Sequence, residues 1–238
     1  MAIRIGHAST GENGGRNNKA GDQTGKEVKV SNWYANNWNV ILRPKSADLA
    51  EEMAHICEYL CFNPYVGYDM NQRNTLHTLL KKNGYNLNGI TEPVETDCSA
   101  FMTVCAIAAG VNTLEYSNNA PVCSTMEQYF KPTGKFFVIK EKKITNSDKY
   151  LQRGDIIINT KKHTVMALDN GKNHRYVFEG MKGLNVAWLQ MRLASKGYQV
   201  GNIDGDCGIK TVTAIKTFQR EHGLEVDGIA GPATISKL

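Results

Sequence analysis

Arg153–Leu168, RGDIIINTKKHTVMAL, decides the fold class of the longer part of this chain. Asp155–Asn159 and His163–Leu168 are β-rich runs, the first entered through the Gly154-Asp155 turn, and Asn170-Gly171 supplies a tight-turn signal after the second. Together with Lys135–Lys140 (KFFVIK) upstream and Arg175–Phe178 (RYVF) downstream, they predict an antiparallel sheet. The part before them reads as helical. Ser46 is placed to cap a helix whose stripe is Leu49, Met53, Ile56 and Leu60, and Asn63-Pro64 stops it. A second helix is predicted over 71–82, ending at Asn83-Gly84, and a third from near Cys98 to Ala109, closed by Gly110. Helices first and an antiparallel sheet afterwards predict an α+β domain. Residues 8–26, rich in Gly, Asn, Lys and Thr, read as an irregular surface segment.

Beyond the linker candidate Gly180–Gly183 the texture changes. Asp204–Thr211 (DGDCGIKT) and Asp227–Thr234 (DGIAGPAT) share D-G-x-x-G-x-x-T, a glycine-bearing turn leading into a helix capped by Thr or a residue near it. Val212, Ile215 and Phe218 share one helical face, and Val186, Leu189 and Leu193 share another. The prediction is a small all-α domain of three helices over 184–238, preceded by an α+β domain over 1–180.

The totals exclude several classes. The chain has 238 residues and a net charge of +5, a mild basicity that favours approach to a polyanion, cell-wall polymers included. Lys and Arg do not cluster with interleaved aromatics, so nucleic acid is not an expected partner. No apolar run is long enough for membrane insertion, and the first residues lack a signal-peptide core. The expected location is therefore the cytoplasm unless something releases the protein, and the expected state is a monomer. Six cysteines occur without a C-x-x-C, and Cys57 and Cys61 read as packed thiols of one helix.

Cys98 lies in Glu95-Thr-Asp-Cys-Ser-Ala-Phe-Met, at the first turn of the third helix, where the positive helix end favours a thiolate and Thr96 or Asp97 can cap. A thiolate nucleophile needs a partner that later protonates the leaving amine, and histidine suits both roles. Of the six histidines, His55 and His77 fall in helices, His222 in the tail and His7 in the leader. His163 opens a strand, which makes it the better partner than His174. Cys105, on the same helix as Cys98, reads as a buried small residue.

Asp97-Cys98-Ser99-Ala100-Phe101, Arg153-Gly154-Asp155-Ile156 and His163-Thr164-Val165-Met166 resemble the NlpC-type and CHAP-type cell-wall cysteine peptidases. The tail is similar to the peptidoglycan-binding three-helix domain of wall hydrolases. It matches at Leu189-Gln190, Gly197-Tyr198, Asp204-Gly205, Gly208, Thr211, Phe218-Gln219, Asp227-Gly228, Gly231 and Thr234, and departs at Cys207, where an aromatic is usual. The resemblance implies a papain-like fold, catalysis by Cys98 and His163 without metal or other cofactor, and peptidoglycan as partner. It also implies a third polar group orienting the histidine. Arg175 occupies the usual slot and cannot accept from an imidazole, so Glu179 is the leading candidate, with Asn173 and His174 as alternatives. Pro64-Tyr65 matches a family element that puts a tyrosine beside the thiol. Tyr65, Asp69 and Asp97 are the candidate substrate-binding residues of the catalytic domain and Tyr198 that of the tail. Gln219 is a further candidate for wall contact, and His7 a minor one for the groove.

The combination resembles a phage endolysin, which implies that the protein waits in the host bacterial cytoplasm until release to the wall. The expected reaction is cleavage of a stem-peptide amide as an endopeptidase. The alternatives are an N-acetylmuramoyl-L-alanine amidase on the same site, a deamidase or transferase on the same fold, or a non-catalytic wall-binding virion protein.

Overall fold

The computed structural model of the chain describes residues 2–11, 14–16, 26–172 and 176–238. It separates into two compact units, Met1–Gly171 and Lys172–Leu238.

The first unit runs β1 (Arg4–Ala8), β2 (Val28–Asn32), β3 (Val40–Pro44), α1 (Ala47–Phe62), β4 (Val66–Tyr68), α2 (Thr75–Lys82), β5 (Val94–Thr96), α3 (Cys98–Ala108), α4 (Met126–Phe130), β6 (Phe136–Ile139), α5 (Lys142–Thr145), β7 (Ile156–Asn159) and β8 (His163–Ala167). Six strands form one antiparallel sheet in the order β2-β1-β8-β7-β3-β6, while β4 and β5 make a separate parallel pair. The result is a mixed α/β unit with an antiparallel sheet, and α1 and α3 pack against its strands.

The sheet is not confined to the second half of the unit, as the order "helices first" predicts. Half of it comes from residues before Pro44, and β1 and β3 sit inside it. Each of these strands is only five residues long, and the polar stretch between β1 and β2 hides their alternation. Of that stretch, residues 12–13 and 17–25 lie outside the described residues.

The helices follow their local signals. Ser46 Oγ accepts from the Leu49 amide at the start of α1, and Asn63 ends it. α2 begins at Thr75 rather than Asn71, because Asp69 Oδ1 accepts from the amides of Asn71 (2.5 Å) and Gln72 (3.1 Å) and holds the intervening chain in a turn. Met53 and Leu60 of α1 and Phe101 and Met102 of α3 are wholly buried together with Leu42, Ile156 and Met166. Each such side chain contributes roughly 1.5–3 kcal/mol of hydrophobic stabilisation.

Gly154 and Asp155 have separate structural duties. Gly154 has φ +89°, and a Cβ there would lie 2.5 Å from the Ala50 carbonyl oxygen of α1. Asp155 is fully buried and accepts from Arg43 Nε (2.7 Å) and Nη2 (2.5 Å) and from the Gln152 amide (2.8 Å). This paired, hydrogen-bonded charge joins β3 to the start of β7.

The second unit contains α6 (Leu184–Ser195), α7 (Ile209–Glu221) and α8 (Pro232–Ile235) around Val186, Leu189, Leu193, Ile215 and Phe218. It starts earlier than residue 184. Val177 pairs with Ala230 and Lys182 with Asp206, so the Tyr-Val-Phe run and the glycine-flanked segment after it are tied into the tail. That run is therefore not a strand of the large sheet, and its first residue, Arg175, lies outside the described residues.

The sequence repeat is a structural repeat. Gln190 Nε2 donates to Asp204 Oδ1 (2.9 Å), the Asp206 carbonyl (3.0 Å) and Thr211 Oγ1 (3.1 Å), while its Oε1 accepts from the Gly205 amide (2.9 Å). Gln219 repeats the pattern with Asp227 (2.8 Å), the Ile229 carbonyl (3.0 Å), Thr234 (3.2 Å) and the Gly228 amide (2.9 Å). The aspartate, first glycine and threonine of each motif thus surround a buried glutamine. The helix caps are Gly208 and Gly231 rather than threonine. Among the described residues, no helix is long and apolar enough to cross a membrane.

Candidate active site

Asp97 is the N-cap of α3, and its Oδ1 accepts from the amides of Ser99 (3.0 Å) and Ala100 (2.7 Å). Its carboxylate is also clasped by Arg73, with Nε donating to Oδ2 (2.6 Å) and Nη2 to Oδ1 (3.1 Å). The same guanidinium donates to the carbonyls of Ala120 (2.7 Å) and Pro121 (3.0 Å). Asp97 therefore acts as cap and ion-pair partner. Cys98 follows as the first residue of the helix, 8% exposed at the wall of a cleft of about 670 Å³.

His163 opens β8 opposite Asn159 and lines the same cleft as Cys98, where it pulls the pKa of the thiol down. Its Nε2 is 3.0 Å from His7 Nδ1, and His7 Nε2 is 3.0 Å from Ser31 Oγ. Strand pairing explains the row. Ile5 faces Ala167 and Gly6 faces Met166, which puts His7 opposite Val165 and diagonal to His163 on one sheet face. His7 likewise faces Lys29, so Ser31 is its diagonal neighbour on β2. Gly6 is required beside His7, because a Cβ there would overlap the Cys57 thiol of α1.

Burial, with the charges of His163 and Lys29, lowers the His7 pKa to about 3. A neutral imidazole has one N–H and one acceptor nitrogen. With His7 Nε2–H donating to Ser31, its Nδ1 accepts from His163 Nε2–H, and His163 Nδ1 is left for Cys98. The arrangement orients one histidine by another.

A second thiol faces the first. Cys123 Sγ is 3.6 Å from Cys98 Sγ. The contact with Cys123 and burial push the Cys98 thiol up, His163 pulls it down, and the contact with Cys98 lowers Cys123. The two thiols are thus shifted in opposite directions by their mutual contact, while His163 favours negative charge on Cys98.

The structure separates the other candidate residues. Tyr65 is exposed in the turn before β4 and does not line the cleft. Tyr68 does, because β4 pairs with β5 and sets Tyr68 opposite Thr96, two residues before the thiol. Tyr34 is a second cleft tyrosine. The phenol pKa values of both are raised by burial and by the nearby Cys98. Asp69 is buried in its turn and does not line the cleft. Glu179 belongs to the second unit, where it is exposed beside a groove with Gln190 and Asp204, whereas the imidazole partner within the first unit is His7. Asn173 and His174 lie outside the described residues. Tyr198, half-buried, packs edge-on against Phe218 and donates to Glu221 (2.6 Å). Gln219 is buried with its amide fully used and is not available to a ligand. Arg73, Cys123, Ser31 and the orienting role of His7 escape a reading based on local pattern. The only local hint was the alternation of Ile5 and His7.

The profile of a family described as the endolysin-like domain matches residues 5–174. The chain belongs to the endolysin-like domain family. A second profile, of the peptidoglycan binding domain, matches residues 182–238 of this endolysin-like protein. Among its curated relatives, the N-acetylmuramoyl-L-alanine amidase CwlM of Mycobacterium tuberculosis is 46% identical over 56 residues, 24% of this chain and 14% of that protein. The spore cortex-lytic enzyme of Oceanobacillus iheyensis is 40% identical over 74 residues, 29% of this chain and 27% of that enzyme. The zinc D-Ala-D-Ala carboxypeptidase of Streptomyces albus G is 46% identical over 63 residues, 25% of this chain and 24% of that protein. The endolysin-like chain thus spans between 14% and 27% of the length of these relatives.

Proposed function

We propose that this protein is a peptidoglycan hydrolase that cleaves an amide bond of the bacterial wall through a Cys98 thiolate. The observation that carries the reading is the row His163–His7–Ser31 in the same open cleft as Cys98, a thiol at a helix N-terminus. The match of residues 182–238 to the peptidoglycan binding domain supports the wall as the target. The three relatives bear three different activity names, and the short stretch they share supports a common target. The stretches shared with CwlM and with the zinc carboxypeptidase, 56 and 63 residues, are shorter than the interval from Cys98 to His163. A helix-borne thiol beside a sheet-borne histidine supports a papain-like arrangement for the first unit.

In this mechanism the Cys98 thiolate attacks the amide carbonyl carbon, forming a C–S bond. The Asp97 carboxylate occupies the Ser99 and Ala100 amides, and the Cys98 amide at the start of α3 receives the oxyanion. His163, charged and held by His7, gives its Nδ1 proton to the departing amine as the C–N bond breaks. Neutral His163 then takes a proton from water, whose oxygen attacks the acyl-thioester and frees Cys98. Neutral His7 accepts from His163 Nε2–H in every state and keeps Nδ1 directed at the sulfur.

Of the two amide bonds, the relatives' names support the muramoyl–L-alanine bond over the endopeptidase cleavage expected from the sequence. Digestion of purified peptidoglycan with the wild type and with Cys98→Ala tests both points. The proposal expects turbidity loss only with the wild type, slowed by at least ~10³-fold in the variant. Equal clearing by the variant overturns the thiolate mechanism. Mass analysis of the soluble products then identifies the bond: intact stem peptides starting at L-Ala indicate the amidase, and fragments cut within the stem indicate the endopeptidase.

A further inference from the structure

Six free cysteines divide sharply by environment. Cys57, Cys61, Cys105 and Cys207 are buried away from the cleft, whereas Cys98 and Cys123 both line it. Two thiols in contact in a solvent-filled cleft, one of them beside a histidine, are a chemical pair as well as a catalytic neighbourhood.

We infer that Cys98 and Cys123 are a redox modification site, in which a hydroperoxide converts the two thiols into a reversible disulfide. This inference rests on the reading of Cys98 as the nucleophile only for its effect on activity. The geometry behind it is a sulfur–sulfur distance of 3.6 Å. That approach is held from both sides by one side chain. Arg73 grips Asp97, the residue before Cys98, and donates to Ala120 and Pro121, just ahead of Cys123. The loop bearing Cys123 is thereby tied to the start of α3. Closing from this contact to a bond of about 2.05 Å shortens the sulfur separation by about 1.5 Å.

The chemistry balances in two steps. The Cys98 thiolate attacks one peroxide oxygen; an S–O bond forms, the O–O bond breaks, and the expelled oxygen leaves as alcohol or water after taking up a proton. Cys98 is then a sulfenic acid. The Cys123 sulfur attacks it; an S–S bond forms, the S–O bond breaks, and water departs with the Cys123 proton. Two thiols are oxidised by one hydroperoxide, which is reduced. His163, which lines the cleft with Cys98, is placed to pass the proton to the leaving oxygen. Cys123 thus intercepts the sulfenic acid before a second peroxide carries it to an irreversible state. A dithiol restores the pair.

The test uses the full chain. After treatment with hydrogen peroxide and alkylation, peptide mapping by mass spectrometry is expected to show one Cys98–Cys123 cross-link. The other four cysteines are expected to be alkylated only after unfolding. Wall clearing falls in proportion to the cross-linked fraction and returns on reduction with dithiothreitol. In Cys123→Ser the same treatment leaves Cys98 as sulfinic and sulfonic acid that dithiothreitol does not recover. Oxidised Cys98 without a link to Cys123 in the wild type, or equal recovery of the Cys98 thiol in Cys123→Ser, overturns the inference. A cross-link formed without loss of clearing supports the modification site and instead overturns Cys98 as nucleophile.

Discussion

His7 Nδ1 lies 3.0 Å from His163 Nε2, joining the first strand of the chain to the strand that faces the thiol. This contact gives His163 a fixed ring orientation, leaves its Nδ1 for Cys98, and makes the orienting group a neutral imidazole rather than a carboxylate. The consequences for rate, acid stability and architecture can each be measured.

For His7→Gln, which keeps a polar side chain but loses the imidazole acceptor, kcat on purified walls is expected to fall on the order of 10²–10⁴-fold, with little change in KM. Glu179→Gln is expected to retain wild-type turnover. A large loss in Glu179→Gln together with a mild one in His7→Gln would reverse the assignment of the orienting residue.

Acid stability depends on His7 in a defined direction. Its pKa is about 3 in the folded chain against an ordinary value of 6.5, so between these values the unfolded chain binds a proton that the folded chain does not. The contribution of His7 to stability is complete above pH 6.5 and is lost as pH falls towards 3, at up to about 1.4 kcal/mol per pH unit. Thermal melts of the wild type between pH 7 and pH 4 should show this decline. His7→Gln should show a shallower one, and equal slopes would remove His7 as its source.

Arg73 is a structural clasp with a catalytic consequence. In Arg73→Ala the Asp97 carboxylate is left buried without its cation, at a cost of about 3–5 kcal/mol. Denaturant unfolding should register this loss. Arg73→Lys retains the charge but not the forked geometry, and is expected to recover only part of the stability. Full recovery by lysine would mean that charge alone matters at this position.

In the tail, Gln219→Ala removes a side chain that bonds Asp227, Thr234, the Gly228 amide and the Ile229 carbonyl together. A loss of about 1–3 kcal/mol in the second unit is expected for each buried group left unsatisfied. Sedimentation with purified walls should weaken as the fold loosens. Tyr198→Phe removes only a bond to exposed Glu221 and should leave stability near wild type. Loss of wall sedimentation in this folded variant would identify the phenol as a wall contact.

The sequence by itself determined the features whose interactions are close along the chain. Ser46 and Asp97 cap helices, and each aspartate–glycine turn lies within a few residues of the threonine that completes it. This made α1, the α3 start and the tail repeat readable, and with them the position of Cys98. The tertiary structure decided what surrounds the thiol. His7 and His163 are 156 positions apart and meet only because β1 inserts beside β8. Tyr68 displaces Tyr65 through the pairing of β4 with β5, and Cys123 reaches Cys98 through the grip of Arg73. Asp69, which reads as a groove carboxylate, is used up by the backbone of its own turn. Capping and turn preferences act over a few residues and leave a local pattern. Strand order and ion-pair clasps are set by global packing, so the residues they bring together share no neighbourhood in the sequence.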